Sequence, residues 1–279
     1  MQRTAQQDIR GPVPEGLARA IRETAGDIAT LLKDTSDTTV PVPDSEWTVG
    51  EAAAHLALAN ELMADLAAGR QRPYGDGTTQ SLAEANAQSL AAFGERGAGP
   101  LASMITEQAD AFLDATDRAA VADESAVGPE LVTPLGPMDR NVLASYLLTH
   151  MLGHGYDFAR ALNRPHMIDR DRVGLCMPFM LSVMPRVVDT AAVADLTIRY
   201  AIRLRGGAAF GVSLGDGAVQ VAPTPPDRPD CTILIDPVAF LLIALGRRNP
   251  WRAIGQGQVV AWGRKPWLAP RFPTLFTAP

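Results

Sequence analysis

Cysteine is nearly absent from this 279-residue chain: Cys176 and Cys231 stand in different halves and form no CxxC pair. That excludes a disulfide framework and a thiolate metal site, and leaves both residues as small buried hydrophobes. Lysine is as scarce, with Lys33 and Lys265 alone, so the basic charge is almost all arginine. The formal net charge is −6, and no basic stripe stands out, which argues against a nucleic-acid surface and against polyanionic partners. Long apolar runs are missing too. The longest, Val238 to Leu245, falls far short of the ~20 residues that a membrane-spanning helix requires. The opening MQRTAQQDIR has no signal-peptide core. The expectation is a cytoplasmic chain with no membrane and no nucleic-acid partner, its oligomeric state unknown. What is present is enough apolar material, 47% of residues, to fill one large core or two ordinary ones.

Residues 13 to about 186 read mostly as helix, because apolar positions recur at spacings of three and four. A first helix is predicted from about Pro14 to Leu32. Thr48 and Glu51 form a capping box that starts a second, running to about Ala68. A Gly/Pro/Asp-rich loop, GRQRPYGDG, then leads to a helical stretch near residues 80 to 117, interrupted at Gly94 to Pro100. Asp139 is the N-cap of a fourth helix, ended near residue 162 by Asn163, Arg164 and Pro165. Four such helices suggest a bundle.

Beyond about residue 190 the period becomes two: Leu196, Ile198, Tyr200, Ile202 and Leu204 alternate with polar or small residues. Phe210, Val212 and Leu214 continue the pattern, GDG at 215 to 217 makes a hairpin turn, and AVQVA and CTILI are further strands. Asp236 and Pro237 then sit at the N-cap and first position of a helix that ends at Gly246. The fold class is therefore α plus α+β, with residues 1–189 a helical bundle and 190–279 a smaller α+β domain. Arg199, Arg203 and Arg205 fall on the polar face of a strand and read as solvated.

Only four histidines occur, and His150 and His154 stand four apart on the fourth helix, on the face marked by Leu143, Tyr146, Leu147, Met151 and Phe158. Two imidazoles so placed can grip one ion, but a zinc site needs another protein ligand. His55, inside the second helix, supplies it, since bundles let ligands from separate helices converge in the core. The competing structural reading is a pair of hydrogen-bonded core histidines. His166, after Pro165, reads as a surface or capping residue. Asp157 could orient a metal-bound imidazole or act as a base, or simply pair with Arg160 or Arg164.

The runs WTVGEAAAHL at 47–56 and HMLGHGYDFARALNRP at 150–165, with the interrupted helix between them, resemble mycothiol-dependent maleylpyruvate isomerases and the wider DinB-like metalloprotein superfamily. The resemblance covers most of residues 10 to 190. It implies a divalent metal, Zn2+ by preference, held by His55 and by two ligands four apart in the second run. The isomerases carry glutamate at the first of these two places. Here it is His150, giving with His154 a three-histidine set that the broader superfamily also uses. The segments IDPVAFLLIALGRRNPWRAI and WGRKPWLAPRFPTLF resemble the sterol-carrier-like domain that often follows this bundle. In the isomerase branch that domain lends an arginine to the active site, and the GR of LGRR carries it to Arg247, with Trp251 as a neighbouring donor; a solvated arginine after a helix end is the plainer alternative.

Three neutral imidazoles leave zinc its full charge and an open coordination position. The resemblance implies that mycothiol or a similar thiol occupies it, as cosubstrate for isomerisation of a small electrophile or for S-transfer to it, with Arg247 as a catalytic residue; Asp157, from its place beside His154, is the other catalytic candidate. The alternatives are a thiol-independent metal hydrolase or lyase, and a non-catalytic binder of apolar small molecules.

Overall fold

The computed structural model describes residues 12–70, 72, 74, 75, 79–122 and 131–277. The N-terminal decapeptide and part of the 69–77 loop read above lie outside them. The chain divides into two compact units, Met1–Met167 and Ile168–Pro279.

The first unit is built on helices α1 (Glu15–Lys33), α2 (Val49–Ala67), α3 (Thr79–Ala92), α4 (Ala98–Ala122) and α5 (Arg140–Ala161). The predicted interruption is a break that separates α3 from α4. The helix starts follow the capping chemistry. Thr48 accepts from the amide of Glu51 at 3.3 Å while the Glu51 carboxylate accepts from the amide of Thr48 at 2.8 Å. Asp139 accepts from the amide of Val142 at 2.8 Å. α1 and α2 each pack on both α4 and α5, so the four long helices close into a ring around one core. Phe112, Phe158, Ile21, Ile28, Leu32 and Leu143 fill that core and are fully buried. Gly155 permits a close approach of neighbours to α5: a Cβ there would lie 2.5 Å from Met167 Sδ and 3.2 Å from Ile28 Cγ1. A short hairpin, β1 (Leu131–Thr133) and β2 (Gly136–Met138), precedes α5; nothing in the helical periodicity announced it.

The second unit begins before the change of hydrophobic period at residue 190, because α6 (Arg170–Val183) packs on α8 (Pro237–Ala244). Between them come a short helix, α7 (Thr190–Val193), and strands β3 (Ile198–Leu204), β4 (Ala209–Gly215), β5 (Ala218–Ala222) and β6 (Cys231–Ile235); α9 (Pro250–Gly255) and β7 (Val259–Gly263) follow. The sheet order is β5-β4-β3-β6-β7, with β3 and β6 parallel and the other pairs antiparallel. Asp216 and Gly217 take φ of 52° and 70°, the left-handed pair that a tight hairpin turn demands. One sheet face carries Ile198, Tyr200, Ile202 and Leu204, all buried. Phe240 of α8 meets it, its ring 5.9 Å from that of Phe210. The other face bears Arg199 and Arg203, both exposed. The segment from β5 to β6 crosses that outer face over Gly211, where a Cβ would stand 2.9 Å from the Thr224 carbonyl oxygen. Cys176 and Cys231 are buried and are not joined to each other in a disulfide. Among the described residues, no helix is long and apolar enough to cross a membrane.

Candidate metal centre

His55 lies near the middle of α2, seven residues beyond the Thr48 cap, and its apolar neighbours on that helix turn it inward. His150 and His154 are one turn apart on α5, which packs against α2. The structure brings the three rings together: centroids are 5.3 Å apart for His55 and His150, 5.1 Å for His55 and His154, and 4.7 Å for His150 and His154. One ring nitrogen from each lies within 4.8 Å of the others. An ion with bonds of ~2.0–2.1 Å holds tetrahedral ligands about 3.4 Å apart. Nitrogens within 4.8 Å of one another stand within about 1.4 Å of that spacing, so the donor set fits a zinc-type ion.

The electrostatics agree. Burial pushes His55 down to about 4, so its imidazole is neutral at physiological pH, the form that can ligate. His154 and Asp157 are also buried, and Asp157 Oδ2 stands 3.7 Å from His154 Nδ1. Arg160 reaches Asp44, at 3.0 Å. Among the described residues, no carboxylate joins the three imidazoles. His166 is exposed, its ring 5.4 Å from that of Tyr156.

Aromatic rings wall the cluster, and sequence reasoning did not single out the most intimate of them. Trp47, half-buried, sits 4.9 Å from His55 and 6.4 Å from His154, stacked on the latter. It precedes the Thr48 cap, the position from which an apolar side chain folds back over the first turns of its helix. That placement was the available signal. Tyr146 stands 6.0 Å from His150 and Phe158 6.4 Å from His154. Burial raises the Tyr146 phenol to about 12, with Tyr74 adding to the effect, so it stays neutral.

Arg247 and Trp251 belong to the second unit. Arg247 follows α8, is half-buried, and donates from Nη1 to the carbonyl of Leu245 at 2.6 Å. Trp251 opens α9 and is 66% exposed.

Comparison with known proteins adds the lineage. The family model described as the mycothiol maleylpyruvate isomerase N-terminal domain matches residues 17–159, and that of the SCP-2 sterol transfer family matches residues 186–263. No curated protein matches. Among solved structures, a mutant of the mycothiol-dependent maleylpyruvate isomerase aligns at 14% identity and TM-score 0.50, over 90% of this chain and 92% of its own. The same enzyme without that mutation gives 15%, 0.43 and the same coverage. A stereoselective inverting sec-alkylsulfatase from Pseudomonas sp. aligns at 13% identity and TM-score 0.32 over 50% of this chain; the match spans only 24% of the sulfatase. Such identities speak to fold alone. Since the isomerase N-terminal model covers slightly more than half of the residues and the sterol-carrier model follows it, the chain belongs to the mycothiol maleylpyruvate isomerase family, in its form with an SCP-2 domain.

Proposed function

We propose that this chain is a metal-dependent enzyme that uses a low-molecular-weight thiol, mycothiol or a close analogue, against a small electrophile, ending in isomerisation or S-transfer. The observation that carries the reading is the meeting of His55, His150 and His154 inside a bundle of this family, with ligand atoms within 4.8 Å. A divalent cation there, zinc by donor type, would lower the pKa of a thiol from ~8.5, so that the nucleophilic form exists at neutral pH without a separate base.

The chain's own residues do the rest. His55 stays neutral through burial and so does not compete with a cation by protonation. His150, where the isomerases carry glutamate, adds no negative charge. Asp157 sits on the Nδ1 side of His154, so that its carboxylate would orient the ring and leave Nε2 as the ligand atom. Trp47 presents an apolar surface beside two of the imidazoles, which excludes water from that side. Arg247 and Trp251 are assigned, by the resemblance, to an anionic or polar part of either reactant.

The test measures metal content, then consumption of a maleyl compound, an epoxide or a quinone, with and without mycothiol or a surrogate, in wild type and His154→Ala. One metal per chain, and turnover that needs both metal and thiol, is expected. Turnover without thiol would move the assignment to a hydrolase or lyase. Apolar-ligand binding without turnover, unchanged in His154→Ala, would make the chain a carrier.

A further inference from the structure

The end of the sheet at which β3 and β6 begin is built differently from the rest of the second unit. Register places Arg199 of β3 opposite Ser213 of β4, and Ser213 opposite Gln220 of β5. Directly opposed residues share a face, so the three form one polar row. On the other side of β3, Asp230 gives its amide to the Arg199 carbonyl at 2.7 Å. Its carboxylate accepts from the Arg199 amide at 2.9 Å and from the Arg264 guanidinium. A cleft of about 660 Å³ opens along this row, within the second unit. That volume lies in the range of small-molecule sites, ~300–1,000 Å³.

The lining is cationic in an acidic protein. Arg199, Arg264 and Lys265 face it with only Asp216 and Asp230 as counter-charges. Asp230 is already committed. It is 5% exposed; burial works against its charge, but the Arg264 bond, the Arg199 amide and the charge of Lys265 together hold its carboxyl below the usual range. The side chains of Arg199 and Lys265 have no ion pair among the described residues. Ser213 and Gln220 add donors, while Ala218 and the bare backbone of Gly215 supply apolar surface on the same face.

We propose that this cleft is a binding site for a small organic anion, its carboxylate or phosphate held by Arg199 and Lys265 and its carbon body laid along Gly215 and Ala218. The site is independent of the histidine cluster. A paired Asp230 makes it possible: it fixes Arg264 at the rim and locks the start of β3, so the Arg199 guanidinium is presented from a rigid strand. Arg199 and Lys265, neither in a short ion pair, stand beside several donors and would complement such an anion in charge.

Isothermal titration of the full, metal-loaded chain at low ionic strength tests this with citrate, maleate and inorganic phosphate as probes. One-to-one, salt-sensitive binding is expected for at least one of them. Arg199→Gln should weaken it at least about tenfold, or ~1.4 kcal/mol. Gly215→Leu should do the same by filling the cleft. A Cβ on Gly215 meets nothing within 4 Å, so this variant leaves the fold intact, which unchanged melting and metal content would verify. Binding of citrate or maleate alone identifies a carboxylate ligand, and preference for phosphate a phosphate ester; either supports the site if both variants lose it. No binding of any probe at millimolar concentration overturns the proposal. So does binding that survives both variants, or binding lost in His154→Ala, which would place the anion at the histidines instead.

Discussion

The two units dispose of their polar side chains in opposite ways. Among the described residues, the helical unit buries Thr24, His55, Asn60, Ser145, Thr149, His154 and Asp157 in its interior, whereas the sheet unit buries Asp230 and Thr232. A four-helix core selected for stability alone would fill such positions with leucine, since an interior polar group costs free energy unless it is satisfied. A sheet can export its polar residues to the outer side of the pleat, where register lines them up in rows. Chemistry in this chain is therefore to be sought inside the bundle, and at the face and end of the sheet.

The sharpest test of that contrast is metal content. His150→Ala should lower metal affinity by more than about 100-fold, beyond the ~10–100-fold typical of outer-shell changes, while Asp230→Asn leaves it unchanged; chelator competition followed by elemental analysis reads both. Equal losses would erase the distinction between the units.

Acid should also act on them differently. His55 titrates near 4 in the folded chain and near its ordinary 6.5 when unfolded, so below 6.5 the unfolded state binds the extra proton. Metal-free protein should thus lose stability as pH falls from about 6.5 to 4, by on the order of 3 kcal/mol if the whole shift is realised, and the loss from this group should level off below that. Urea melts of wild type and His55→Leu across this window check it; an identical slope in the variant would remove His55 as the cause. Asp230, whose carboxyl is depressed, contributes stability that persists down to more acidic pH and is lost only as the pH falls through its folded value.

At neutral pH, Asp230→Ala leaves the part-buried Arg199 amide without its acceptor and should cost about 1 kcal/mol, seen as a lower urea midpoint. Thr48→Ala, which removes the cap of α2, should likewise cost about 1 kcal/mol. If the imidazoles are held chiefly by packing, its metal affinity will be unchanged.

Much of this was legible in the residues because it is local. The caps Thr48 and Asp139, the Asp216-Gly217 turn and the Asp236-Pro237 helix start each act within four residues, and the elements begin where those signals stand. The spacing of His150 and His154 guarantees a shared helix face, so that part of the cluster was readable too. The β1–β2 hairpin was not, since three-residue strands are too short to show alternation. Nor was the partnership of α6 with α8, which depends on contacts between segments far apart in the chain. Arg199 is exposed, as the polar face of its strand implied, but the cleft beside it was not legible, for the same reason. Its cleft exists because Asp230 and Lys265 are brought beside it by the parallel pairing of β3 with β6 and by β7, which no periodicity along one strand reveals.

Trp47 gives the bundle a built-in spectroscopic reporter. The other three tryptophans, Trp251, Trp262 and Trp267, are 46–69% exposed and belong to the second unit, so their emission falls at longer wavelength. The half-buried indole of Trp47, 4.9 Å from His55, emits to the blue and lies within collisional reach of any open-shell ion held by the imidazoles. Filling the site with Co2+ or Cu2+ should quench that blue component selectively, whereas Zn2+ should not, so occupancy can be followed by light without labelling the protein.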